Sequence, residues 1–118
     1  MRLTRQVGKE AALEAAGFGA AVAELAWCHR HALLLTALLV ATAALTLGVF
    51  GFRRHLVAIY AIGGVLGSTA EILGVRAGAW RYTAPHFLGI PVWLPFAWAL
   101  VSVLTVAIAA TAAEVMRP

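Results

Sequence analysis

The sequence predicts an all-α, polytopic membrane helix bundle: three clear transmembrane helices plus an N-terminal amphipathic helix that is either interfacial or a fourth span. Three observations predict it. Hydrophobic residues make up 63% of the 118 residues and charged residues only 12%, too little charge to cover a soluble globule of this size. Residues 32–51 run for twenty positions without a charge, the length that crosses a bilayer core as a helix. The nine basic residues sit in short groups beside apolar runs, the pattern of membrane flanks. Because they form no stripe, a nucleic-acid partner is not expected despite the net charge of +4. The length allows one domain, 1–118.

Residues 1–9 are polar and basic, a frayed start expected on the cytoplasmic side. Charges recur through Glu24, which is not a signal-peptide layout, so a retained N-terminus is expected. Residues 10–28 are Ala-rich and favour a helix. At about 100° per residue, Glu10, Glu14 and Glu24 fall within an arc of about 80°, together with Gly17, Ala21 and Cys28. Either this helix lies in the interface with its acids toward water, or it inserts with the acidic stripe toward other helices. Each central acid costs about 2.5 kcal/mol on insertion, which favours an interfacial or partly inserted helix. Cys28 is the only cysteine, so no intramolecular disulfide forms. Cys28, His29 and His31 are metal-ligand residue types, but their spacing does not converge on a helix. No metal or cofactor is expected.

Residues 32–51 are the first span. Nothing from Ala20 to Thr46 breaks a helix, so besides two separate helices, 10–28 and 32–51, a continuous run through His29, Arg30 and His31 is the alternative. Phe52, Arg53, Arg54 and His55 make a basic turn. Residues 56–75 form the second span, in which Tyr60, Gly64, Gly67, Glu71 and Gly74 share a face. Glycines allow close helix approach, so this face is expected to be packed, with Glu71 toward the bundle. Gly63, Gly64 and Gly67 also suit a partner helix or a homo-oligomer. Residues 76–90 contain Gly78, Pro85 and Gly89 and read as an aromatic interfacial loop. Residues 91–115 form the last span, with Pro91 at its start and Pro95 in its first turns.

The stretch from Gly63 to Ala99 concentrates the candidate chemistry. The end of the second span and the start of the last must lie on one membrane side. That brings Glu71, Arg76, Trp80, Arg81, Tyr82, His86, Trp93 and Trp98 to one level. A carboxyl at the edge of an apolar bundle, beside Tyr82 and His86, is a candidate proton donor set. Trp80, Trp93, Trp98, Arg76 and Arg81 are candidate substrate contacts, since aromatic walls suit a flat apolar molecule. A structural alternative has Glu71 paired with Arg76 or Arg81, fixing loop to helix, with the tryptophans as interfacial belt residues and His86 as a loop residue.

Within this stretch, residues 71–82 (EILGVRAGAWRY) and 88–98 (LGIPVWLPFAW) carry the pattern E-x-x-G-V-x-x-G-x-x-x-Y followed by G-x-P-x-x-x-P-x-x-W. This resembles the signature region of the carotenoid-biosynthesis integral membrane family, which includes carotenoid hydratases. It is also similar to short bacterial membrane proteins sharing the core. The resemblance covers about a quarter of the chain. It implies an apolar isoprenoid ligand, a bacterial inner membrane, Glu71 as an acid protonating a carbon–carbon double bond, and Tyr82 as the matching hydroxyl.

Two function classes follow. One is a small membrane protein with a structural or lipid-binding role, its partners being membrane lipids. The other is an enzyme acting on an apolar isoprenoid. A proton path is a third, weaker reading, since such paths need a chain of titratable groups. Three-span and four-span schemes both place the N-terminus in the cytoplasm, with six basic residues inside against three outside, and they differ on the side of the 76–90 loop.

Overall fold

Alanine, leucine and valine dominate every long segment of the chain, and each such segment is helical. The computed structural model describes residues 2–118, with side chains from Arg5 onward. Four helices follow in order: α1 (Arg2–Cys28), α2 (Ala32–Val49), α3 (Arg54–Arg76) and α4 (Leu94–Val115). All four are long and apolar enough to cross a membrane, which makes this a multi-pass membrane protein. They run up and down, and the molecule measures 51 × 26 × 23 Å.

α4 is the hub, packing against α1, α2 and α3. Leu100 and Leu104 on α4 are fully buried, as are Leu35 and Leu39 on α2. Ala21 of α1 and Ala43 of α2 close the same cluster. A second cluster, Leu47, Leu56 and Val103, joins α2, α3 and α4. Large apolar side chains such as Trp27, Leu33, Leu45 and Leu66 face outward. Lipid solvates such a surface, so the helices associate mainly through van der Waals packing and internal polar contacts.

The structure corrects two expectations about the first segment. The helix begins at Arg2 rather than after a frayed start. It packs against α2 and α4 and is itself long and apolar enough to cross a membrane, which matches the fourth-span alternative rather than the interfacial one. Its acidic stripe points inward, with Glu14 buried. The Thr111 hydroxyl of α4 donates to Glu14 Oε1 at 2.6 Å, and the Thr42 hydroxyl of α2 donates to Glu24 Oε1 at 2.5 Å. Those hydroxyls offset part of the insertion cost. Gly17 admits Leu104 closely at the same seam.

The join between the first two segments falls where the separate segments 10–28 and 32–51 put it. The helix does not continue through residues 29–31. α1 ends at Cys28, His31 takes a non-helical backbone (φ −115°, ψ 78°), and its N–H closes a turn on the Cys28 carbonyl at 2.9 Å. A straight helix would carry Arg30 and two histidines through the apolar layer. The reversal leaves all three exposed at the bundle end. Four helices therefore put the N-terminus, the 50–53 turn and the C-terminus at one end, and residues 29–31 and the 77–93 loop at the other.

Candidate functional site

The α3/α4 seam is built on glycine. A Cβ at Gly64 would meet the Pro95 carbonyl at 3.2 Å and Ala99 Cβ at 3.3 Å. A Cβ at Gly63 would collide with Ser102, one at Gly67 with the Trp98 indole, and one at Gly74 with the Trp80 indole. The face expected to pack does pack. What it meets is α4 and the following loop of the same chain, and this is where the close approach of Gly63, Gly64 and Gly67 is used.

One side of that seam holds Glu71. Its Oε2 accepts two hydrogen bonds at 2.8 Å, from Trp80 Nε1–H and from the Tyr82 hydroxyl. Its Oε1 accepts a third, from Trp98 Nε1–H at 3.2 Å. Three neutral donors thus converge on one carboxyl, two from the loop and one from α4. Both oxygens are engaged as acceptors, the way a carboxylate uses them. Arg76 and Arg81 are exposed and take no part; among the described residues the ion pair is Arg117–Glu114 at 3.4 Å. The arginine seal expected by the structural alternative is replaced by indoles and a phenol. Burial, the hydrogen bond to Glu71 and the charge of Glu71 together push the Tyr82 hydroxyl up to about 12, so Tyr82 remains a donor at any physiological pH.

The rest of the loop is shaped by a tight turn. Phe87 and Ile90 exchange both backbone hydrogen bonds, at 3.2 and 2.8 Å. Leu88 and Gly89 between them have positive φ, 48° and 84°, the pattern of a type I′ turn. Gly89 is doubly required, because a Cβ there would come within 2.7 Å of Val75 on α3. His86 lies beside this turn. Its Nδ1 accepts from the Val92 N–H at 3.1 Å and its own N–H donates to the Ile90 carbonyl at 2.9 Å. It pins the loop and shares no hydrogen bond with the Glu71 group. Trp93 turns away as well, packing half-buried on the core formed by α1, α2 and α4. Of the eight predicted site residues, the structure brings together Glu71, Trp80, Tyr82 and Trp98. It leaves His86, Trp93, Arg76 and Arg81 outside that group.

The other side of the same seam is an apolar groove of about 390 Å³. Tyr60, Gly64 and Ser68 of α3 line it, with Pro95, Phe96 and Ala99 of α4. No charged side chain lines it. Ser68 is 9% exposed, and its Oγ is buried with no hydrogen-bond partner. In the sequence Ser68 stands four residues after Gly64 and one helical turn before Glu71, a spacing that signals helix packing and not a ligand.

No protein-family model, curated protein or solved structure matches this chain.

Proposed function

We propose that this is a small multi-pass membrane protein that binds an apolar lipid in the α3/α4 groove, with Glu71 fastening the loop that covers the end of that seam. The observation that carries the reading is the groove itself. It is apolar, it has the volume of a small-ligand site, and it lies in two helices whose surroundings are lipid. Glu71 supports a fastening role: a carboxyl with three donors on its two oxygens ties the 77–93 loop to α3 and α4. Acid chemistry on a double bond, as the resemblance implies, would require that carboxyl to break from its donors and deliver a proton. Among apolar lipids, the resemblance of residues 71–98 favours an isoprenoid.

The orientation belongs to the same proposal. Arg2, Arg5, Lys9, Arg53, Arg54 and Arg117 lie at the N-terminal end of the bundle; Arg30, Arg76 and Arg81 lie at the other. The six-to-three bias places the N-terminus in the cytoplasm and the Glu71 loop across a cell (inner) membrane.

The test is photolabelling in phosphatidylcholine vesicles doped with a diazirine-bearing hydrocarbon chain, with adducts mapped by mass spectrometry. Adducts enriched on 60–69 and 95–99 over the lipid-facing positions Leu33 and Leu45 support the reading. Ala61→Trp, which fills the groove from its exposed edge, should remove the enrichment. Uniform labelling overturns it.

A further inference from the structure

We propose that the groove takes a neutral lipid whose only polar group is one hydroxyl or carbonyl, and that Ser68 is the residue that recognises it. The inference rests on the lipid-binding reading and names the chemistry of the ligand.

The other hydroxyls serve as internal controls. Thr36, Thr46, Thr69, Ser102 and Thr105 each donate to the carbonyl four residues earlier, at 2.7 Å, the usual resort of a hydroxyl in a membrane helix. Thr42 and Thr111 donate to Glu24 and Glu14. Ser68 alone among these helix hydroxyls leaves Oγ buried and unbonded. A buried hydroxyl without a partner is costly where no water can reach it. An arriving acceptor would relieve that cost: Ser68 is among the residues that line the groove, and a rotation of its side chain turns the buried Oγ toward an acceptor there.

Depth selects the ligand. Ser68 precedes the end of α3 at Arg76 by eight residues, which is about 12 Å along a helix. That is within the hydrocarbon layer. A phospholipid headgroup cannot sit there without burying its charges, and the groove offers no charged residue to pair with them. A long-chain alcohol or ketone carries one polar group that meets Ser68 Oγ while its chain lies along Gly64, Phe96 and Ala99.

The experiment compares two diazirine probes of equal length in the same vesicles, one an alkane and one ending in a hydroxyl. Each is scored as the ratio of groove adducts to adducts at Leu33 and Leu45, so that partitioning cancels. The hydroxyl probe should give about a three- to tenfold higher ratio, the range of one hydrogen bond. Ser68→Ala should abolish the difference and leave the alkane ratio unchanged. Thermal melting without probe supplies a second readout, in which Ser68→Ala should melt at or above the wild-type temperature because an unbonded polar atom is removed. Equal ratios for the two probes, or a destabilised Ser68→Ala, overturn the assignment of Ser68 while the groove stands. Absence of groove enrichment with either probe overturns the lipid-binding reading itself.

Discussion

Trp98 on α4 reaches back 27 residues in sequence to place its indole N–H 3.2 Å from Oε1 of Glu71 on α3. This contact, with those of Trp80 and Tyr82 on Oε2, makes one side chain the meeting point of two helices and a loop. Glu71→Gln keeps the size but turns an amide donor toward at least one of three donors. Hydrogen bonds to a charged group are worth about 1.5–3 kcal/mol each. Glu71→Gln should therefore release the loop and speed tryptic cleavage after Arg81, which is already exposed, by about tenfold. An unchanged cleavage rate would mean that Glu71 does not hold the loop.

The Tyr82 hydroxyl gives the cage a pH signature. Its folded value, about 12, lies above the ordinary tyrosine value of 10.0. A phenol whose folded pKa is raised binds its proton more tightly in the native state. Its stabilising contribution is whole below pH 10 and is lost as pH rises toward 12. Stability in detergent should fall across that window, and Tyr82→Phe should flatten the fall while lowering stability at neutral pH. Spectroscopic titration of tyrosinate, wild type minus Tyr82→Phe, should place the late-titrating component on Tyr82. A component titrating near 10 would contradict the hydrogen bond to Glu71.

Much of this site was legible in the sequence, and the limits have physical causes. The 3.6-residue period put Tyr60, Gly64, Gly67, Glu71 and Gly74 on one face, and that face is the seam. Period alone cannot say which loop residues turn toward it. Trp80 and Tyr82 do, because Gly74 leaves room for an indole. His86 does not, because the Leu88–Gly89 turn captures its ring against the Val92 N–H. The insertion of α1 was not decidable from α1, since the hydroxyls that receive its acids, Thr42 and Thr111, belong to other helices. The reversal at residues 29–31 carries no glycine or proline to announce it. The groove arises from how α3 and α4 meet, which no single segment encodes.

Gly67 tests the seam against its neighbours. An added Cβ would run into the Trp98 indole, which must swing away and give up its bond to Glu71. Overpacking of this kind costs typically 1–3 kcal/mol. Gly67→Ala should lower the melting temperature and increase quenching of Trp98 fluorescence by iodide. Gly19→Ala is the control: nothing lies within 4 Å of a Cβ there, and removing a helical glycine should stabilise by up to about 1 kcal/mol. Equal effects of the two substitutions would remove the case for a close α3/α4 approach.

Four spans separate the two loops across the membrane. Single cysteines at Arg53 and Ala84, introduced on a Cys28→Ser background, should react with an impermeant maleimide from opposite sides of a sealed vesicle. A tag at the N-terminus should share the side of Arg53. An interfacial α1 leaves only three crossings, and the N-terminus would then lie opposite the 50–53 turn. That outcome would overturn the insertion of α1.

The insertion of α1 also has an energetic test, since Glu14 is only 4% exposed and takes the Thr111 hydroxyl. Glu10, Arg53, His55 and Glu114 line the polar cavity of about 380 Å³ beside it, yet none of them forms an ion pair with Glu14 among the described residues. The Thr111 bond is therefore the identified contact that compensates the buried acid. Thr111→Val keeps the shape and removes the donor, leaving a buried acceptor unsatisfied at about 1–3 kcal/mol. In Glu14→Gln the amide retains one acceptor oxygen, so its loss should be smaller. The double variant should lose less than the sum, because the second change removes a partner already without its bond. A coupling near zero in detergent melts would mean that the Glu14–Thr111 contact is not made in the folded protein, and the inward-facing stripe would lose its energetic basis.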